Sequence, residues 1–576
     1  SSITYPQFLH AECPPGSMPP RTVSYDYTRG YLSAVPSYAS AVSYQLGGMV
    51  KSVTHANGVT ENITPAPANL SRPGSIATSG VADGNSWSTG TYVYDGAGNI
   101  KSIGEQTFRY DGLNRLVHGE VNLGGDDPLV QSASYDNYGN LTALSTAGMN
   151  LATAVGTNRL VAGTYDAAGN LTDIVQNGVD FDYRYDALNM MTSLQSTNDQ
   201  ARIFIYDADD ERLVTFDCVG TTQCSQDSRT TFTVRDLDGR VLRVFEDLPG
   251  EPWTWERDYV YRGSQLLASV EPDTSGGERT LHLHLDHLGT PRQVTGPGAI
   301  EVSRHHYFPF GDEATDPLQD EVALKFTGHE RDENGGAGVL DYMHARYCSP
   351  VLGRFASIDP ILSADPAKPQ SWNKYSYAAS NPLRFIDPTG LYICEGAETD
   401  CLFVADAVNA IEDAIIGLSD ASEAEMLALQ QALEFFGNPG EENGVVIVIS
   451  EVEGGSMSAR YNRRKRLNRI NVTLDLYDVQ VEGSAAHRAE LAAGLVHEAD
   501  HGLQQRQLGR MWGDLETVIG AEITATSRQA IVYRGLKHPS STGMWSPKNG
   551  YDFNAILKWS ESSVASFCRT SKACSR

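Results

Sequence analysis

No stretch of this 576-residue chain is long and apolar enough to span a bilayer, and its mean hydropathy is −0.32. The opening residues, SSITYPQFLH, have neither a basic start nor an apolar run, so they do not read as a secretory signal. They begin mid-pattern, as part of a longer protein would. Positive charge is scarce: 44 Lys and Arg stand against 72 Asp and Glu, a formal charge of −28. Residues 392–576 hold 17 Lys and Arg against 25 Asp and Glu, which leaves about −20 on the rest. That balance argues against nucleic acid and anionic membranes as partners. CxxC is absent, and no His stands at finger-like spacing from a Cys, which excludes finger-type zinc. A paired H-N-H pattern is also missing, which argues against a nuclease.

The eight cysteines are unevenly placed. Six form close pairs, Cys218/Cys224, Cys394/Cys401 and Cys568/Cys574, expected to close three small disulfide loops worth about 2 kcal/mol each. Such loops imply an oxidising destination. Cys13 and Cys348 are unassigned.

A chain this long needs two or three domains. From residue 90 to 270 one unit recurs: YVYDGAGNIKSI from Tyr92, FRYDGLNRLV from Phe108, ASYDNYGNLTAL from Ala133, GTYDAAGNLTDI from Gly163, YRYDALNMMTSL from Tyr183 and IFIYDADDERLVTF from Ile203. TVRDLDGRVLRVF from Thr233 and YVYRGSQLLASV from Tyr259 are degenerate copies. Alternating aromatic and branched residues suit a half-buried strand. Asp followed by Gly-Asn supplies a turn, because these residues tolerate positive φ. One hairpin cannot bury its face alone, so the units are expected to stack into continuous sheet.

These repeats resemble the YD repeats of the RHS family, whose relatives include toxin-complex C subunits and teneurins. The resemblance sharpens after His282: HLDHLGTPRQVT, YFPFGD, KFTGHERDENGG, LDYMHARYCSPVLGRFASIDP and NKYSYAASNPLRFIDPTGL follow in family order, as in the RHS-associated core. It implies a mainly β, hollow YD-repeat shell, the RHS cocoon, followed by a smaller α+β domain. The expected divisions are 1–280 for the repeat shell, 281–391 for the core and 392–576 for a C-terminal toxin domain. The family cuts its chain after the Leu of Asp-Pro-x-Gly-Leu, here between Leu391 and Tyr392. The resemblance assigns an aspartyl-type pair to Asp359 and Asp387, with Arg354 to orient or balance them. Asp365, in a second Asp-Pro, is the alternative first carboxylate.

After Leu391 the repeat pattern stops. Residues 406–437 have helical spacing, GVVIVIS from Gly444 reads as a buried strand, and RINVTLDLYDV from Arg469 reads as its hairpin partner. The basic run Arg463–Arg466 reads as charge protecting an edge. Ser484 can cap a helix to about Gln507 that carries His497-Glu498-Ala499-Asp500-His501. Histidines at i and i+4 share a helix face and can meet one Zn2+, with Glu498 as general base on the metal-bound water. A second helix before Gly535 offers Glu522 as third ligand, with Glu516 the alternative; the arrangement resembles gluzincins. Asp500 or Asp514 could orient a ligating histidine, and His487, His538 or Tyr533 could stabilise an oxyanion.

The expectation is therefore a secreted or delivered RHS-type toxin whose shell holds a zinc metallopeptidase, freed by self-cleavage. Its partners would be a peptide or protein substrate in the target cell, a cognate immunity protein, and secretion or toxin-complex machinery. The competing reading is a cell-surface adhesion protein with a non-catalytic tail.

Overall fold

A computed structural model describes residues 2–6, 20–359 apart from short loop segments, and 373–387. Beyond these it describes strands at 445–451, 456–462, 467–474, 545–546 and 550–551, and scattered helical positions from Ile411 to Ile556.

The Tyr-Asp unit folds as a hairpin because its Asp builds the turn. In the third unit Asp136 Oδ1 accepts from the backbone N–H of Tyr138 (2.8 Å) and Asn140 (2.9 Å), and Oδ2 accepts from Asn140 Nδ2 (2.7 Å). Gly139, at φ 79°, takes the left-handed position. In the second unit Asn114 takes that position, and Arg115 replaces the following Asn and donates Nε–H to Asp111 Oδ2 at 2.7 Å. The motif tolerates the exchange because both residues offer a donor to the same oxygen. We expect Asp136→Ala to cost about 1–2 kcal/mol through its lost turn bonds. Hydrogen exchange at the Tyr138 and Asn140 amides would report it, and unchanged protection would refute this account of the turn.

The motif Tyr links neighbouring units. Tyr110, Tyr135, Tyr206 and Tyr261 each donate a hydroxyl to a carbonyl of the preceding hairpin, Ile100, Leu116, Met191 and Val241 respectively, at 2.6–2.9 Å. Stacked in this way, strands from Tyr92–Tyr94 to Leu141–Leu144 form a six-stranded antiparallel meander. Those from Gly163–Tyr165 to Glu301–Arg304 form a 13-stranded one, which runs on past residue 281. A four-stranded sheet spans Ala39–Tyr44 to Leu70–Ser79. The described residues are nearly all β, as the repeats predict.

Two apolar clusters form the core. In one, Tyr92, Ile100, Phe108, Leu141, Leu171 and Phe181 from the repeats pack with Leu340, Tyr342, Tyr347 and Leu352. The other joins Tyr5, Val23 and Val53 to Tyr259, Val270 and Leu283. The segment after residue 340 is thus covered by the repeats that precede it.

In the C-terminal stretch Val445–Glu451 pairs with Leu467–Leu474, as expected, but in parallel. The hairpin partner of Leu467–Leu474 is instead Ser456–Asn462, a strand the apolar pattern does not announce. Ala493, Val496, Ala525, Gln529 and Ala530 are helical and buried, within the two expected helices. These pieces do not support a zincin-like α+β domain. Cys348 is a buried free thiol. Cys218 is disulfide-bonded, but Cys224 and the other four paired cysteines lie outside the described residues, so the three expected loops are not established.

Candidate self-cleavage site

The last described sheet of the core is four strands, Glu330–Asp332, Leu340–Met343, Arg346–Ser349 and Arg354–Phe355. A tight hairpin pairs Met343 with Arg346 and sends Arg346 into the interior, where it is buried. The chain then returns alongside itself. Phe355 N–H donates to Tyr375 O at 2.9 Å and Asp359 N–H donates to Lys374 O at 2.8 Å, so the two ends of the 360–372 segment lie side by side.

This return places Asp359 and Asp387 on one guanidinium. Arg346 NH1 lies 3.5 Å from Asp359 Oδ2, and NH2 lies 3.1 Å from Asp387 Oδ2. The three side chains are 2%, 6% and 1% exposed, so water screens none of these charges well. The Arg346 guanidinium also lies 3.7 Å from the centre of the Phe355 ring, which covers it. Two buried carboxylates repel, and a cation bonded to both offsets that repulsion.

The surroundings make this a carboxylate site. Burial, with Asp341 and Asp387 adding to it, pushes the Cys348 thiol well above its ordinary value, so it is not a thiolate nucleophile at neutral pH. Burial likewise raises Tyr377, with Cys348 and Asp387 contributing. Arg331 holds Asp341 through two bonds of 2.7 and 2.9 Å.

Asp359 and Asp387 therefore both meet one cation, and that cation is Arg346. Arg354 stands elsewhere: it donates to Asn158 O at 2.7 Å and lies 4.4 Å from the Tyr375 ring centre, fastening the core to a repeat turn. Asp365, Leu391 and Tyr392 lie outside the described residues, as do His487, His497, Glu498, Asp500, His501, Asp514, Glu516, Glu522, Tyr533 and His538.

No protein-family model matches the chain. Among curated proteins it is similar to the tRNA3(Ser)-specific nuclease WapA of Bacillus spizizenii, 25% identical over 311 residues, 52% of this chain and 11% of WapA. It is 30% identical to the toxin protein Tse5 of Pseudomonas aeruginosa over 335 residues, 53% of this chain and 24% of Tse5. It is 27% identical to the probable deoxyribonuclease RhsA of Dickeya dadantii over 331 residues, 54% of this chain and 22% of RhsA. The chain thus spans a quarter or less of the length of these relatives. Among solved structures, a crystal structure of TcdB2-TccC3-Cdc42 matches at a TM-score of 0.49 and 18% identity, over 64% of this chain and 20% of that one.

By name these curated relatives include an Rhs protein, RhsA, and a toxin, Tse5, which agrees with the RHS resemblance of the core. They overturn the zinc-metallopeptidase expectation for Glu498 with His497, His501 and Glu522, and with it the peptide substrate: WapA and RhsA are named as nucleases. The physical reason is that an H-E-x-x-H spacing specifies two imidazoles on one helix face and nothing about the bond attacked. The acidic balance of the chain does not exclude nucleic acid either, because a net charge summed over the chain does not describe a local site.

Proposed function

We propose that residues 1–391 are the carrier of an RHS-type toxin, cut by their own core after Leu391, and that residues 392–576 are the effector so released. The observation that carries the cut is the buried Arg346 bridge between Asp359 and Asp387. In this reading one carboxylate takes a proton from water, which attacks the Leu391 carbonyl. The pair shares one proton at the start, so the other, as the neutral acid, protonates the Tyr392 nitrogen as the C–N bond breaks. Arg346 holds both carboxylates at the scissile bond and offsets their charge. The effector is assigned to the nuclease class from the names of two relatives of the chain, WapA and RhsA. Delivery by a secretion or toxin-complex machine, and an immunity protein in the producer, complete the proposal.

Intact mass on denatured protein tests the cut: two fragments meeting at Leu391/Tyr392 are expected, and one mass of 62.6 kDa would sink it. Incubation of the released fragment with tRNA and with DNA tests the activity, and no degradation of either would sink the nuclease assignment. Zinc on His497 and His501, with Glu522 or Glu516, is a separable proposal through which no step above is routed. Metal analysis of the fragment reads it, with loss expected in H497A/H501A.

A further inference from the structure

The hairpin that joins Val50–His55 to Thr60–Ala66 docks on the strands Glu278–Leu285 and Pro291–Thr295, more than 200 residues away in sequence. Asn57, at its tip, donates Nδ2–H to Thr295 Oγ1 at 2.9 Å and to Gly296 O at 3.1 Å. Under this tip three histidines gather. The ring centres of His282 and His284 lie 5.2 and 4.6 Å from that of His55, and all three residues are 3% exposed or less. Glu61, also buried, faces the same point, with Oε2 3.9 Å from His284 Nδ1.

Their polar atoms are poorly served. Neither ring nitrogen of His55 has a hydrogen-bond partner, and His284 Nδ1 has none. Buried groups of this kind are normally paired. His284 Nε2 does have one, Thr295 Oγ1, at 2.9 Å. If that hydroxyl takes the Nε2 proton, the free lone pair sits on Nδ1, the atom that faces Glu61. A ligating imidazole is usually oriented in this way, through an oxygen on its far nitrogen. One ligand atom from each of His55, Glu61 and His284 can be chosen so that all lie within 4.8 Å of one another. Tetrahedral zinc holds such atoms about 3.4 Å apart, a contraction that side-chain torsions can supply.

We propose that His55, Glu61 and His284 form a buried zinc site that fastens the N-terminal four-stranded sheet to the 13-stranded sheet. Two imidazoles and one carboxylate are a donor set that suits Zn2+. Arg262 is the other charge that reaches His55 and Glu61, and the dication would act against it. Thr295 is a positioning residue.

The test uses the full chain carrying H497A/H501A, so that zinc near the C-terminus does not contribute. After loading with Zn2+ and desalting, about one zinc per folded chain is expected. H55Q and H284Q should each lose it, and Thr295→Val should weaken binding roughly 10- to 100-fold. Less than a tenth of a zinc per folded chain, or full zinc in H55Q, would overturn the site. Where H55Q does not fold, Co2+ loaded into the H497A/H501A chain decides. Ligand-field absorption without thiolate charge transfer supports the site, and no visible absorption overturns it.

Discussion

Asp387→Asn should leave the chain as a single 62.6 kDa polypeptide where the parent separates into two. Asn keeps the shape of Asp and one oxygen for Arg346 NH2, now 3.1 Å from Asp387 Oδ2, so the core should still close. What Asn cannot do is take or give a proton in this role, and cleavage should slow by on the order of 10²–10⁴-fold. Asp359→Asn should behave alike, because the two carboxylates share one guanidinium. Arg346→Met should also slow the cut, whereas Arg354→Met should act through folding, since Arg354 bonds Asn158 O. Mass spectrometry over a time course, with circular dichroism as the folding control, separates these cases. Parent-rate cleavage by Asp387→Asn would remove Asp387 from the mechanism.

Asp258→Ala should be among the most destabilising single changes in the shell. Asp258 is fully buried and accepts two bonds of 2.6 Å from Arg243, one of 3.0 Å from Trp255 Nε1, and another from Arg21. Arg243 is equally buried. Truncating Asp258 leaves that guanidinium charged, desolvated and without its carboxylate, a change that typically costs about 3–5 kcal/mol. Asp182→Ala is the control. Its ion pair with Arg184 is exposed, 69% on the Arg side, and pairs of that kind are worth about 0–1 kcal/mol. Thermal unfolding of both variants gives the comparison, and a loss under about 1 kcal/mol for Asp258→Ala would show that the network relaxes around the gap.

The contrast between these residues explains what was legible in the sequence. The Tyr-Asp turn is written locally: Asp136 and Asn140 are four residues apart and make each other's bonds, so the repeats and their stacking can be read directly. The approach of Asp359 to Asp387 came from resemblance alone. Which arginine meets them was hidden, because the hairpin at Met343 and Arg346 decides it, and the strand Arg346–Ser349 is buried on both faces and so shows no alternation. The parallel pairing of Val445–Glu451 with Leu467–Leu474 was hidden for another reason: apolar strands advertise burial and not direction. H-E-x-x-H misled because a two-ligand spacing carries no information on substrate. His55 and His284 could not be paired by eye across their separation in the chain.

The segment 373–387 is sewn to the tips of three repeats. Asn373 donates to Gly139 O, Tyr375 to Gly169 O, Asn381 to Asn99 Oδ1 and Arg384 to Ala97 O. Those tips belong to the first, third and fourth units, and each must already hold its turn to present its oxygen. Asp387 sits at the end of this seam. On the proposed mechanism the cut therefore carries information about order: a severed chain is one whose early repeats were finished before its last core residues arrived. Scission would serve as a completion signal, and a chain missing a unit would remain in one piece.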